Sequence, residues 1–256
     1  GPDAIFGFAE QGSIWRYDGS AWLEAYAPPQ SYQSAIWGSA PDDVWAAVHH
    51  EKLVHFDGKK WAPQKLGKEA LRAIWGTGKG KVWVATDDGV VYALEGGRFR
   101  PIRIAPSMLV YAGHGTGPEN IVLAGPPGVA RWDGRRATIE PAPVDPEWGT
   151  GFLCVWTAGP DFVVAGGYGG ILLRYDGKTW TRDALPDYRQ KLWGAWGTSR
   201  EDAFVAGEGG AIFHFDGRAW RREETGTDAN FYGIHGTASE IVAVASDRIY
   251  VKKRRP

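Results

Sequence analysis

The histidines, the lone cysteine and the paired carboxylates are the residues of this 256-residue chain that could carry covalent or metal chemistry. His49 and His50 stand beside Glu51, the one histidine–carboxylate cluster in the sequence. On a strand or hairpin adjacent side chains point to opposite sides, so the trio does not converge on one metal or substrate and reads as solvated polar surface. Asp42-Asp43 and Asp87-Asp88 offer oxygens for calcium but lack the alternating ligands of a loop site. Residues 76–80, Gly-Thr-Gly-Lys-Gly, imitate a phosphate loop without the following helix whose N-terminus would hold the phosphate. No GxSxG elbow, HExxH pair, Walker loop or EF-hand pattern occurs. Glu10, Asp88 and Glu208 are scattered carboxylates, where a hydrolase or lyase needs at least two that converge. Cys154 is the only cysteine, which excludes an internal disulfide and a multi-cysteine metal site. The expectation is no metal and no cofactor, with a non-catalytic role ahead of an enzymatic one.

Bulk composition narrows the rest. Twenty-nine basic against thirty acidic side chains give a net charge of −1, which argues against the phosphate-neutralising surface of a nucleic-acid binder. The basic end, Lys252 to Arg255, reads as a solvated terminus. No apolar run reaches the ~18 residues that a membrane helix needs. The 36 glycines and 14 tryptophans exceed ordinary usage and point to many tight turns. The opening Gly1-Pro2 suggests a cleavage scar or a processed precursor, which leaves the compartment open, with an extracytoplasmic or secreted one slightly favoured.

These residues need elements to position them, and the chain supplies them by repetition. The unit is clearest in AIWGSAPDDVWAAVHHEKLVHFDGKKW, CVWTAGPDFVVAGGYGGILLRYDGKTW and GAWGTSREDAFVAGEGGAIFHFDGRAW. Each copy has four β-like runs: a ends in Trp-Gly, b follows an acidic turn, c ends at Asp-Gly, and d begins at the tryptophan four residues on. The a-run aromatic recurs at Trp37, Trp75, His114, Trp156, Trp196 and His235, with spacings of 38, 39, 42, 40 and 39. That period and the short runs with period-two alternation predict an all-β protein, a closed β-propeller of four-stranded antiparallel blades. Runs b and c occur seven times and runs a and d six, so seven blades fit best, with six as the alternative. One domain over 1–256 then has a first blade lacking its inner strand and a last blade lacking its outer one. The chain starts inside a repeat, which points to native sequence upstream.

Asp-Gly at Asp18, Asp57, Asp133, Asp176 and Asp216, with Glu95-Gly96 as a weaker version, predicts type I′ hairpins whose two central positions take positive φ. The following Trp22, Trp61, Phe99, Trp180 and Trp220 are expected to pack over those hairpins; Ala137 breaks the pattern. Strings such as YDGKTW resemble the tail of the Asp-box hairpin of sialidase-type propellers, and the Trp-Gly repeats resemble tectonin-like and fungal or bacterial propeller lectins. The resemblance implies a recognition scaffold with a carbohydrate ligand.

Two slots in run a behave differently. Two residues before the aromatic stand Ala35, Ala73, Ala112, Cys154, Gly194 and Gly233, all small, so Cys154 reads as a space-filler. His114 and His235 occupy the tryptophan slot and read as packing substitutions, not as ligands. Three residues before the aromatic the slot varies: Ser34, Arg72, Tyr111, Leu153, Trp193 and Tyr232. Its large members, Arg72, Tyr111, Trp193 and Tyr232, are placed at the mouth of the central channel, as ligand contacts or as plugs. The variable loops on the same face add Tyr168, Tyr188, Arg189 and Trp148, since loops on a rigid scaffold carry function. The expected partner is a carbohydrate or a protein segment, with a hydrolase or lyase acting on a polysaccharide, or an assembly domain of a larger protein, as alternatives.

Overall fold

The computed structural model describes residues 5–8, 13–27, 33–48, 52–67, 70–102, 108–143, 151–245 and 248–254. Their strands form seven antiparallel sheets, and the chain has the seven-bladed β-propeller fold. The only helical turn among these residues is the 3-10 turn Tyr168–Gly170. No helix among them is long and apolar enough to cross a membrane.

Two compact units divide the chain, residues 1–110 and 111–256. The first holds blade 1 (Ile5–Phe8, Ile14–Tyr17, Trp22–Tyr26), blade 2 (Gln33–Ala40, Asp43–Val48, Lys52–Phe56, Trp61–Gln64) and blade 3 (Leu71–Gly78, Lys81–Thr86, Val91–Glu95, Arg98–Ile102). The second holds blade 4 (Ala112–Gly117, Asn120–Gly125, Gly128–Trp132, Ala137–Ile139) and blade 5 (Phe152–Gly159, Phe162–Gly167, Leu172–Tyr175, Trp180–Arg182). It continues with blade 6 (Leu192–Ser199, Asp202–Gly207, Ile212–Phe215, Trp220–Arg222) and blade 7 (Phe231–Gly236, Glu240–Ala245, Ile249–Lys253). Among the described residues blades 1 and 7 have three strands each, matching runs b, c, d and a, b, c.

Within each unit the first strands of successive blades lie side by side, and the core forms between sheets. Phe162 and Val164 of blade 5 pack against Ala203, Val205 and Phe213 of blade 6, whereas Val163 and Ala165 pack against Val122, Ala124 and Val129 of blade 4. Both faces of the second strand are therefore apolar, and Asp43–Val48 and Phe162–Gly167 are buried throughout. The alternation expected from the sequence is absent there because water reaches neither face.

The Asp-Gly hairpins close differently from expectation. Only the glycine takes positive φ, from +86° to +99° at Gly19, Gly58, Gly134, Gly177 and Gly217. The aspartate stays on the ordinary side and acts as an acceptor: its Oδ1 takes the amides two and three residues on, as in Lys178 and Thr179 on Asp176, both at 2.9 Å. These backbone donors hold the carboxyls of Asp57, Asp133, Asp176 and Asp216 below their usual range, and that of Asp18 at about 2. The two positive-φ positions of a type I′ turn occur instead at Gly96 (+55°) and Gly97 (+77°), the hairpin that lacks the aspartate. In four of these five hairpins the aromatic before the Asp lies across from the outer tryptophan, with ring centroids 5.5 Å apart for Tyr17–Trp22 and 5.3 Å for Phe56–Trp61, Tyr175–Trp180 and Phe215–Trp220, whereas Trp132 faces Ala137.

Of the basic end, Lys252 and Lys253 are exposed, Arg254 is half-buried, and Arg255 lies outside the described residues. Lys252 pairs with Glu223, and Arg254 pairs with Asp202 while its guanidinium lies 5.6 Å from the Phe204 ring and 5.9 Å from Trp196. These cations tie blade 7 to blade 6.

Candidate recognition face

The varied slot of the first strands has a backbone cause. Leu71 pairs with Thr86 but Ala73 with Ala85; Leu192 pairs with Gly207 but Gly194 with Ala206; Phe231 pairs with Ala245 but Gly233 with Val244. Arg72, Trp193 and Tyr232 each sit on a β-bulge, and the same slip surrounds Ser34 and Leu153. A bulge leaves its extra residue unpaired and re-aims the side chain out of the sheet's alternation. Tyr232 is thus 52% exposed while Phe231 beside it is fully buried.

In the second unit two of these bulges form a cluster. The Trp193 and Tyr232 rings lie 6.0 Å apart at 59°. The Lys191 ammonium sits 5.3 Å from the Trp193 ring and 5.6 Å from that of Tyr168, so one cation lies between two π faces. Lys191 and Glu208 hold each other: ammonium to carboxylate 3.3 Å, Lys191 N–H to Glu208 Oε2 3.3 Å, and Glu208 N–H to the Lys191 carbonyl 3.0 Å. The Trp193 Nε1–H is buried and has no hydrogen-bond partner among the described residues.

The crossing from blade 5 to blade 6 supports this cluster. Asp187 has φ +60°, a left-handed position that aspartate tolerates, and there the chain turns Tyr188 inward and Arg189 outward. Tyr188 is 4% exposed, with its hydroxyl 2.8 Å from the Lys191 carbonyl and 3.2 Å from that of Glu208. Burial, then the Glu208 charge, pushes its phenol upward. It props the cluster from below and is not available as an exposed contact. Arg189 is exposed and donates through Nη1 to the Tyr188 carbonyl at 2.8 Å.

The remaining candidates are dispersed. Arg72, in the first unit, is half-buried and pairs with Asp87 at 2.7 Å. Tyr111 is half-buried at the head of blade 4, its N–H on the Ala124 carbonyl at 2.8 Å. Trp148, His49, His50, Glu51 and Glu10 lie outside the described residues. The sequence reading missed Lys191; a lysine two positions before the varied aromatic slot, following a tyrosine-bearing loop, was the available signal.

The groups that suggested chemistry are engaged structurally. Asp43 accepts from Ser39, from Trp45 Nε1 at 3.2 Å and from His55 Nε2 at 2.7 Å; Asp202 likewise binds Thr198, His214 and Arg254. Serine and histidine meet on the aspartate and not on each other, which is not the order of a nucleophile relay. Asp88 accepts from Thr86 and Val90, closing its own turn. Residues 76–80 form a hairpin between strands. Cys154 is buried beneath the Gly166 and Leu192 carbonyls, and burial pushes its thiol up to about 12. Among the described residues no group of three or more metal-ligating side chains gathers.

No family model matches the chain, and no curated protein matches its sequence. Solved structures do match in fold. YCF48 bound to D1 peptide aligns with 100% of this chain and 89% of its own at TM-score 0.76 and 13% identity. YCF48 from Cyanidioschyzon merolae aligns with 98% and 95% at 0.69 and 13%. The WD40 β-propeller domain of Doa1 aligns with 97% and 88% at 0.78 and 9%. At these identities the likeness is one of fold, the seven-bladed β-propeller.

Proposed function

We propose that the chain is a non-catalytic recognition module that binds a protein segment on the face carrying Tyr168, Lys191, Trp193 and Tyr232. The observation that carries this reading is the cation held between two aromatic rings and next to a bulged, exposed tyrosine. Sugar binding asks for a bare aromatic face, and the Trp193 ring already has Lys191 and Tyr232 against it. A peptide asks for apolar edges, a charge and hydrogen-bond donors, all of which this cluster offers. The fold likeness to a propeller solved with a peptide supports the same reading without carrying it.

The test is a peptide array and a glycan array probed in parallel with the wild-type chain and with Trp193→Ala and Tyr232→Ala. Peptide binding that both variants lose supports the proposal. Binding to glycans alone, or peptide binding that neither variant alters, overturns it.

A further inference from the structure

In the second unit a carboxylate stands at one fixed place at the end of each outer strand. The N–H groups of Glu140, Asp183 and Glu223 donate to the third-strand carbonyls of Val129, Leu172 and Ile212 at 2.8, 2.9 and 2.8 Å. Two of these carboxylates receive a tryptophan from the outer strand of the next blade: Trp180 Nε1 on Glu140 at 3.1 Å and Trp220 Nε1 on Asp183 at 2.8 Å. Glu223 faces blade 7, which among the described residues has no outer strand and brings no indole. The Lys252 ammonium meets it instead, and its Oε1 stands 3.7 Å from His214 Nδ1, longer than a hydrogen bond.

The third strand of blade 7, Ile249–Lys253, pairs among the described residues with Glu240–Ala245 alone, so its other edge is open. That edge is apolar where its sisters are polar. Val251 pairs with Val242 as Arg131 does with Val122, Arg174 with Val164 and His214 with Phe204. The three polar groups are half-buried, whereas Val251 is 56% exposed. An open strand with an exposed apolar side chain is a template for a further strand. Its register follows from blade 6, where Trp220 pairs with Phe215 and Arg221 with His214; Lys252 and Val251 hold the places of Phe215 and His214 in blade 7. A residue added opposite Lys252 therefore occupies the position from which Trp220 reaches the carboxylate of the preceding blade.

We propose that the open edge of blade 7 is a second docking surface, which takes an extended segment of a partner protein as a fourth antiparallel strand. A tryptophan of that segment lies opposite Lys252 with its Nε1–H on Glu223, and a β-branched apolar residue follows it opposite Val251. The main-chain ladder supplies affinity and the two side chains supply selectivity. The surface continues the tryptophan–carboxylate link that already joins blades 4 to 5 and 5 to 6. It stands on the third strand of blade 7, apart from Tyr232 on the first.

Fluorescence anisotropy with the full chain and three labelled probes tests it: a short peptide centred on Thr-Trp-Val-Thr, the same with Ala for Trp, and the same with two successive prolines for the residues after Trp. Neighbouring N–H groups of a strand point to opposite sides, so one of the two prolines always removes a ladder donor. The Trp peptide binds about tenfold more tightly than either control. Val251→Asp sets a charge against the added strand and lowers that affinity about tenfold, and Glu223→Ala abolishes the preference for Trp over Ala. Ile139→Asp, at another exposed apolar side chain of an outer strand, changes neither. Unchanged melting temperatures show that the variants fold. A Trp peptide that does not bind, that Val251→Asp binds as tightly, or that the prolines leave unweakened overturns the proposal. If sedimentation shows the chain self-associating and Val251→Asp makes it monomeric, the edge serves a second copy and the partner segment falls.

Discussion

The Thr157 amide donates to His114 Nδ1 at 3.2 Å, at the point where other blades set a glycine beneath a tryptophan. In three other pairs of successive blades, Trp37 on Gly76, Trp156 on Gly197 and Trp196 on Gly236, the tryptophan of one blade lies on the glycine after the aromatic of the next. A Cβ at Gly197 would come within 2.8 Å of Trp156, and one at Gly236 within 2.9 Å of Trp196. Trp-Gly is thus an interlock between blades, and the blade with threonine in place of the glycine follows the blade with histidine in place of the tryptophan. His114→Trp should overfill this contact and cost roughly 1–3 kcal/mol. Thr157→Gly alone should cost about 1–2 kcal/mol, because its hydroxyl bonds the Gly159 and Phe162 carbonyls. The double variant should lose clearly less than the sum. Denaturant unfolding of the four proteins reads the interaction directly, and strict additivity would refute the interlock.

The outer tryptophans form a second link between neighbouring blades. Trp180 Nε1 donates to Glu140 at 3.1 Å, and Glu140 faces Arg131 at 3.4 Å; Trp220 Nε1 donates to Asp183, which holds Arg174. Trp220→Phe keeps the ring against Phe215 but strips a donor from a largely buried carboxylate, and should cost about 1–2 kcal/mol. Trp220→Ala also removes the ring and should cost about 3–5 kcal/mol. Equal losses for the two variants, measured by thermal unfolding, would show that the indole N–H contributes nothing.

Much of this was legible because repetition exposes what is constant. The period of the a-run aromatic, the seven copies of runs b and c, and the small slot of Cys154 all translate into blades and packing. The bulge was not legible. A register slip leaves no residue signature, so Trp193 and Tyr232 could be singled out by their variability while the reason for it stayed hidden. Tyr188 misled because a tyrosine in a loop looks exposed, and only the left-handed Asp187 turns it inward. Arg254 misled because a basic end is usually solvated; its partner Asp202 lies 52 residues away.

Cys154 should react with thiol reagents slowly in the folded protein and fully once unfolded, since burial pushes its thiol up to about 12 and leaves almost no thiolate near neutrality. Cys154→Ala should cost about 1 kcal/mol or less, because alanine fills the equivalent slot at Ala35, Ala73 and Ala112. Rapid labelling under native conditions would contradict the buried placement.

Acid should weaken the fold in two stages. His114 is held at about 4, against an ordinary value near 6.5, first by desolvation and then by the charge of His235. A depressed histidine favours the folded state while it is neutral, so its contribution is complete above 6.5 and fades as pH falls toward 4. The hairpin aspartates act lower: their carboxyls are depressed by backbone N–H donors, so their contribution is complete above the ordinary carboxylate range and is lost as pH falls through their folded values, about 2 for Asp18. Unfolding free energy measured against pH should therefore decline in two steps, and His114→Gln should flatten the upper one. A single step below 4, unchanged by that variant, would refute the histidine assignment.

The recognition face and the interlocks predict opposite kinds of damage. Tyr232 is half exposed on a bulge, so Tyr232→Ala removes little buried area and should change stability by about 0.5 kcal/mol or less. Trp193→Ala should weaken binding by roughly 1–3 kcal/mol, the range of an aromatic anchor at an interface. Lys191→Ala removes the cation from between the Tyr168 and Trp193 rings and releases Glu208, so it should disturb binding and local order together. Trp220→Ala should do the reverse, lowering the melting temperature while the folded fraction keeps its affinity. Paired titrations and melts of the four variants separate the classes. If Trp193→Ala and Tyr232→Ala unfold the protein but leave the affinity of the folded fraction intact, the bulged aromatics are packing groups, and ligand contact must come from other loops of the face.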